Sequence, residues 1–235
     1  MFAHLGAVVL GIDSDLAEVD DIDSIGVDTS VETRYCRIDG SYSLTCYEVV
    51  RMELVTFKIE GISPLIQHNP AGMAPAQAEQ KVGRKVIPTP EVEALGSLYR
   101  ISTGELGHPA MAFRAAVLGG AKGRRIGKTA ATTVVKGAVF AADEWATLCD
   151  PATGDPLREG EHQVDARRVV VQGNGIVRGR ARWEKWAATV RFEIDPDFLA
   201  VSQVGELLAI GGRIIGVGDF RPEKNGPYGR FKVVE

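Results

Sequence analysis

The chain has 235 residues, 45% hydrophobic and 25% charged, with a formal net charge of −4. This composition is that of an ordinary globular protein long enough to bury a substantial core, and it excludes collagen-like, low-complexity and disulfide-framework chains. No apolar run reaches the roughly 18 residues a bilayer crossing needs, no basic leader opens the sequence, and Cys36, Cys46 and Cys149 are too widely spaced for a zinc site, so a cytoplasmic chain without membrane contact is expected.

The charge is unevenly spread. Residues 1–50 hold ten acids (Asp13, Asp15, Glu18, Asp20, Asp21, Asp23, Asp28, Glu32, Asp39, Glu48) against Arg34 and Arg37, a net −8, which leaves +4 for residues 51–235. An acidic front therefore precedes a mildly basic body, and the whole-chain charge hides both. Within the front, Arg34–Ile38 and Tyr42–Tyr47 flank Asp39-Gly40, a dipeptide suited to a type I′ hairpin turn, so residues 1–50 read as an acidic, β-rich appendage. Met52 opens a plausible domain of its own, and an extended N-terminus ahead of that start is the second explanation.

In the body, Val55, Phe57 and Ile59 alternate with Thr56, Lys58 and Glu60, the period of a half-buried strand ended by Gly61. Residues 62–107, with Pro64, Pro70, Pro75, Pro88 and Pro90 and the cations Lys81, Arg84 and Lys85, read as a long irregular insertion with a short helix near Pro75–Lys81. A helix follows from Pro109, with Gly119-Gly120 at its end. The β-branched run 130–141 predicts a strand through Val134, Val135, Val139 and Phe140. Residues 163–172 and 176–183 predict a long hairpin across Gly173-Asn174-Gly175, and Ala188–Ile194 another strand. After Asp195-Pro196-Asp197, the apolar positions Leu199, Val204, Leu207 and Leu208 suit a helix packed on a sheet, and Arg230–Val234 forms the last strand. The order is α+β, compatible with a ferredoxin-like βαββαβ core carrying two insertions.

Three cationic elements stand out. The loop after the first helix holds Lys122, Arg124, Arg125 and Lys128; the hairpin arms hold Arg167, Arg168, Arg178, Arg180 and Arg182; the glycine-rich end holds Arg213, Arg221, Lys224 and Arg230. In a strand the side chains of Arg178, Arg180 and Arg182 share one face. Guanidinium groups bind phosphates bidentately, and Gly216 and Gly218 permit the sharp bends that bring backbone amides close to an anionic ligand. Trp183 and Trp186 lie beside Arg182 and Lys185, where rings stack on bases or pack in the core. These residues, Trp186 excepted, form the candidate nucleic-acid-binding set.

Catalytic and cofactor signatures are weak. His4, His68, His108 and His162 lack metal-ligand spacing, Ser63, Ser97 and Ser102 sit in no nucleophile elbow, and no P-loop is present, so no metal or cofactor is expected. Asp150 and Asp155 flank a turn. Asp165 is a salt-bridge partner for Arg167 or Arg168, or a metal ligand if the chain is a nuclease.

Phe57–Leu65, the helix 109–119 with its basic loop, the hairpin before Ala188–Ile194 and the glycine-rich Gly211–Arg230 together resemble the RAMP superfamily of CRISPR proteins, most of all the backbone subunit that polymerises along guide RNA. The resemblance spans residues 52–235. It implies a modified RNA-recognition-motif core with a long insertion and a protruding β-hairpin, residues 163–182, as a thumb, in a non-enzymatic subunit that binds single-stranded RNA as repeated copies or beside other ribonucleoprotein subunits. The short body and the acidic front depart from that pattern and leave room for a stand-alone phage or mobile-element protein that coats single-stranded DNA or RNA; a metal-dependent endoribonuclease using Asp165 or His68, and a phage structural or assembly protein whose cations are merely solvated, are the readings from other classes. If the front competes with phosphate for the basic body, a chain starting at Met52 will bind single strands more tightly at low salt than the full chain. Equal affinities assign residues 1–50 another role.

Overall fold

The computed structural model describes residues 34–38, 41–45, 51–73, 88–101, 104–171 and 174–234. Cα proximity divides the chain into two units, Met1–Val50 and Arg51–Glu235. In the first, β1 (Arg34–Ile38) pairs antiparallel with β2 (Ser41–Thr45), Ile38 lying opposite Ser41. This register leaves two residues for the connection, the loop length that Asp39-Gly40 favours; the turn itself lies outside the described residues.

The second unit is α+β. It runs through β3 (Glu53–Gly61), β4 (Leu65–Ile66), α1 (Pro90–Gly96), β5 (Tyr99–Arg100), β6 (Leu106–Pro109), α2 (Ala110–Gly120), the small hairpin β7 (Arg125–Ile126) and β8 (Thr129–Ala130), α3 (Ala131–Ala138), β9 (Val139–Ala141) and β10 (Trp145–Cys149). The long hairpin β11 (Gln163–Val171) and β12 (Asn174–Trp183) follows, then β13 (Ala187–Ile194), α4 (Val201–Ile214) and β14 (Phe231–Val234). The main sheet is antiparallel in the order β14, β3, β13, β10, β6, β5, with β9 also pairing β13. Among the described residues no helix is long and apolar enough to cross a membrane.

Alternation decides which face of the sheet is covered. On β13 Ala188, Val190, Phe192 and Ile194 are buried while Thr189, Arg191 and Glu193 are exposed, and Phe57 and Ile59 of β3 lie on the same buried side. Helices α2 and α4 close that side: the Phe113 ring meets Phe231 at 5.6 Å between centroids, and Val204 and Leu208 join the same core. The two helices touch backbone to backbone. A Cβ on Gly120 would overlap the Leu207 carbonyl oxygen, and one on Gly211 the Ala116 carbonyl oxygen. Pro109 precedes the first turn of α2, where its missing N–H leaves no helical bond unmade, and Gln203 Oε1 accepts from the Ala200 N–H at 3.1 Å at the start of α4.

The hairpin forms a separate small sheet. β12 pairs with β4 through Arg182 and Trp183, and α1 braces it: Glu93 accepts from the Gly179 N–H at 2.8 Å, and Ser97 Oγ accepts from the Ala181 N–H at 2.8 Å. The insertion 62–107 is thus more regular than its prolines suggest, since β4, a 3-10 turn at Ala71–Met73, α1, β5 and the start of β6 all fall within it. The helix expected at Pro75–Lys81 lies outside the described residues.

One expected strand is mostly a helix. Residues 131–138 of the β-branched run 130–141 are helical because Ala131, Val135 and Ala138, spaced by four and three, are the buried set; extended structure begins only at Val139. Arg114 fixes that change, its Nε donating to the Val139 carbonyl at 2.6 Å and its Nη2 to the Lys136 carbonyl at 3.1 Å.

The helix contact yields a paired prediction. Gly211→Ala will lower unfolding stability by about 3 kcal/mol or more, because the new methyl meets backbone that cannot rotate away. Gly137→Ala in α3, where an added Cβ meets nothing within 4 Å, will raise it by about 0.5–1 kcal/mol. Chemical denaturation of the two variants checks both signs.

Candidate nucleic-acid interface

The register of the long hairpin sets Asp165 opposite Arg180 and Arg167 opposite Arg178, so Asp165, Arg167, Arg178, Arg180 and Arg182 share one face, as the strand period predicts for the last three. Such a row of cations is repulsive unless acids intervene, and the fold supplies them. Arg167 donates to Asp165 at 2.5 and 2.7 Å and also to the Tyr228 hydroxyl. Arg178 pairs with Glu93, Arg180 donates to Asp219 at 2.5 Å, and Arg182 pairs with Glu184 at 2.5 Å. Arg168 points the other way and is exposed, its guanidinium lying across Gly175. The cationic face of the hairpin is therefore largely neutralised by its own chain.

The two tryptophans face inward. Trp183 is 3% exposed with its ring 5.8 Å from that of His162, and Trp186 is fully buried, donating to the Ser63 carbonyl at 2.9 Å. The expected placement of Trp183 as a base-stacking ring is corrected by this burial: the alternation that turns Arg182 outward turns Trp183 into the core.

The glycine-rich end meets the hairpin from across the sheet. Gly216 and Gly218 have φ of 68° and 79°, the left-handed region in which a side chain is strained, and a Cβ on Gly218 would stand 2.5 Å from the Ile66 carbonyl oxygen. These glycines let the turn lie flat on β4, where Asp219 N–H donates to Ile66 O at 2.8 Å, and Gly229 N–H reaches Pro64 O at 2.8 Å. Asp219 is thereby set against Arg180. Burial alone would raise its pKa, but the hydrogen bond and charge of Arg180 outweigh burial and hold the carboxyl below its usual value. Arg221 is folded back, donating to the Gly218 carbonyl at 3.0 Å and to Glu223 at 2.7 Å.

Beside this turn lies a cleft of about 240 Å³, lined in part by His68, Tyr99, His108, Ile215, Asp219 and Arg221. Burial, and then the charge of Arg221, push His108 down to about 4, and its Nδ1 has no partner. Burial and then Arg180 also lower His68, so both imidazoles are neutral at pH 7. The Tyr99 hydroxyl donates to the His68 carbonyl at 2.6 Å. His108 is a core residue of β6, and the sequence placed neither it nor Tyr99 in any site.

The remaining cations of the predicted set are exposed. Residues 106–142 contain Arg114, Lys122, Arg124, Arg125, Lys128 and Lys136 and no acid. Lys122, Arg124, Arg125 and Lys128 surround the β7–β8 hairpin and are all exposed, with Arg125 Nη2 donating to the Lys128 carbonyl at 3.0 Å. Arg213, Lys224 and Arg230 are exposed as well, and none of these seven pairs with a described acid. The end of α2 that carries the loop abuts the start of the glycine-rich turn, for Gly119 packs on Ile215. Among the described residues no cluster of His, Cys, Asp or Glu is arranged to hold a metal ion, and Asp165 is occupied by Arg167.

The buried histidine sets the acid response. An unfolded His108 binds a proton near pH 6.5 and the folded one only near 4, so the unfolded state holds more protons across that window and stability falls as pH drops through it. Between pH 6.5 and 5 the full chain will lose about 1.5 kcal/mol from this group, and His108→Leu will flatten that part of the profile. Denaturation curves at matched pH values measure the difference.

No protein-family model matches the chain, and no curated protein matches it in sequence. Among solved structures, Cmr6 from Pyrococcus furiosus is similar over 79% of this chain and 100% of its own, with a TM-score of 0.41 and 10% identity. At that level the likeness decides neither family nor function.

Proposed function

We propose that Arg51–Glu235 binds single-stranded nucleic acid, RNA by its resemblance to guide-RNA-binding subunits, as a non-enzymatic member of a ribonucleoprotein. The observation that carries the reading is the acid-free stretch 106–142, whose exposed loop cations belong to a segment that packs, through Gly119 on Ile215, against the glycine-rich end with its three further exposed cations Arg213, Lys224 and Arg230. Cations without acid partners retain the charge that displaces counterions from a phosphate backbone. The strand order β14, β3, β13, then β10 with β9 supports a ferredoxin-like core, because a βαββαβ unit sets its fourth, first, third and second strands side by side in that sequence. The paired arginines of the hairpin shape the surface, and the loop and turn supply the phosphate contacts.

The test is binding of a labelled oligonucleotide across a salt series. Arg124→Glu with Arg125→Glu will weaken binding by at least about tenfold at low salt and reduce the slope of log affinity against log salt by about 1.4, two phosphate contacts on a single strand. Arg178→Glu with Arg180→Glu will instead lower the melting temperature, because it sets like charges against Glu93 and Asp219. An unchanged affinity and slope in the loop variant contradicts the proposal. Purification without nuclease, followed by sequencing of copurified strands, separates an RNA-bound subunit from a stand-alone DNA-coating protein.

A further inference from the structure

Phe220 is a large ring held where a ring is costly to hold. It follows the paired Asp219, adopts φ of 50°, an outlier for a bulky side chain, and is 43% exposed. Its backbone is fixed on both sides: its N–H donates to Asp219 Oδ1 at 3.0 Å, and its carbonyl accepts from the Tyr228 N–H at 3.4 Å. Below it the rings and guanidiniums alternate. Tyr228 lies 6.2 Å from Phe220 at 39° between planes, and the Arg167 guanidinium stands 5.6 Å from the Phe220 centroid and 4.7 Å from that of Tyr228. Arg182 lies over Tyr228 at 5.6 Å, and Asp165 anchors Arg167 from beneath.

From this arrangement we infer that Phe220, backed by Tyr228 and Arg167, is a stacking platform for one nucleobase of a bound single strand. The inference rests on the proposed nucleic-acid reading and deepens it. A base is the occupant that fits, because the exposed group is an aromatic ring and the supporting guanidiniums are already bound to Asp165 and Glu184 rather than free to take a phosphate. The neighbouring cations Lys224 and Arg230 of the same glycine-rich segment are exposed. An aromatic face takes any base, so the platform contributes affinity without reading sequence.

The experiment compares the full chain with Phe220→Ala, Phe220→Trp and Phe220→Gly, each titrated with an ordinary single-stranded oligonucleotide and with an abasic strand of equal length. The native chain will prefer the base-bearing strand by about tenfold; Phe220→Ala will lose most of that preference with its salt slope unchanged; Phe220→Trp will keep it. Phe220→Gly will lose it too while melting no lower than the native chain, since glycine relieves the positive φ, which separates loss of the ring from loss of the fold. If Phe220→Ala retains the native preference, the platform is wrong although strand binding stands. If the native chain binds neither strand at low salt, the nucleic-acid reading fails and the platform with it. If Phe220→Ala alters only the oligomeric state, the ring is a protein contact and the inference is overturned.

Discussion

Arginines aligned along one face of a two-stranded ribbon repel one another, and the contact of Arg180 with Asp219 is where this fold turns that repulsion into a joint. Asp219 belongs to the glycine-rich turn and Arg180 to the long hairpin, 39 residues earlier. Their pairing fixes the turn against the hairpin, and the same face is closed by Glu93 on Arg178 and by Tyr228 and Asp165 on Arg167. Replacing one partner would leave a half-buried charge without its counterpart, a loss larger than the net worth of the pair. The cleft, the exposed ring of Phe220 and the folded-back Arg221 all lie beside this joint.

Charge count and charge availability part company here. The hairpin is the most arginine-rich element of the body, yet its acids lie within reach of it, while the modest loop at 122–128 has none nearby in sequence and none paired to it among the described residues. A surface that attracts a polyanion is made by cations whose fields are not cancelled at contact range, since a Debye length of about 8 Å at physiological salt leaves little reach beyond. That is why the loop and the exposed cations of the glycine-rich end, rather than the hairpin arms, carry the proposed phosphate contacts.

Local signals in the sequence located the elements with strong periodicity: the alternation of Ala188–Ile194, the long hairpin arms, the proline-led helix at 110–120 and the closing strand are all found where their patterns put them. The run 131–138 misled because Thr132, Thr133, Val134 and Val135 favour strands on their own, whereas burial at Ala131, Val135 and Ala138 and the guanidinium of Arg114 decide for a helix. The candidate site was legible only as a set of cations. Which of them are neutralised depends on partners far apart in the chain, Glu93 for Arg178 and Asp219 for Arg180, and no spacing reveals such pairs. The acid-free stretch 106–142 was a readable signal for the loop, and the Gly-Asp-Phe-Arg order at 218–221 offered no hint that the phenylalanine would face water.

Hydrogen exchange of the full chain, free and saturated with a single-stranded oligonucleotide, tests the central claim most directly, because it locates the bound surface without changing a residue. The account predicts slowed amide exchange across residues 121–130 and 218–230 on binding, with the hairpin arms 163–168 and 175–183 little changed because the cations of their shared face are already paired within the chain. Protection confined to the open face of the sheet at Thr189, Arg191 and Glu193, or absent from both the loop and the turn, would contradict it.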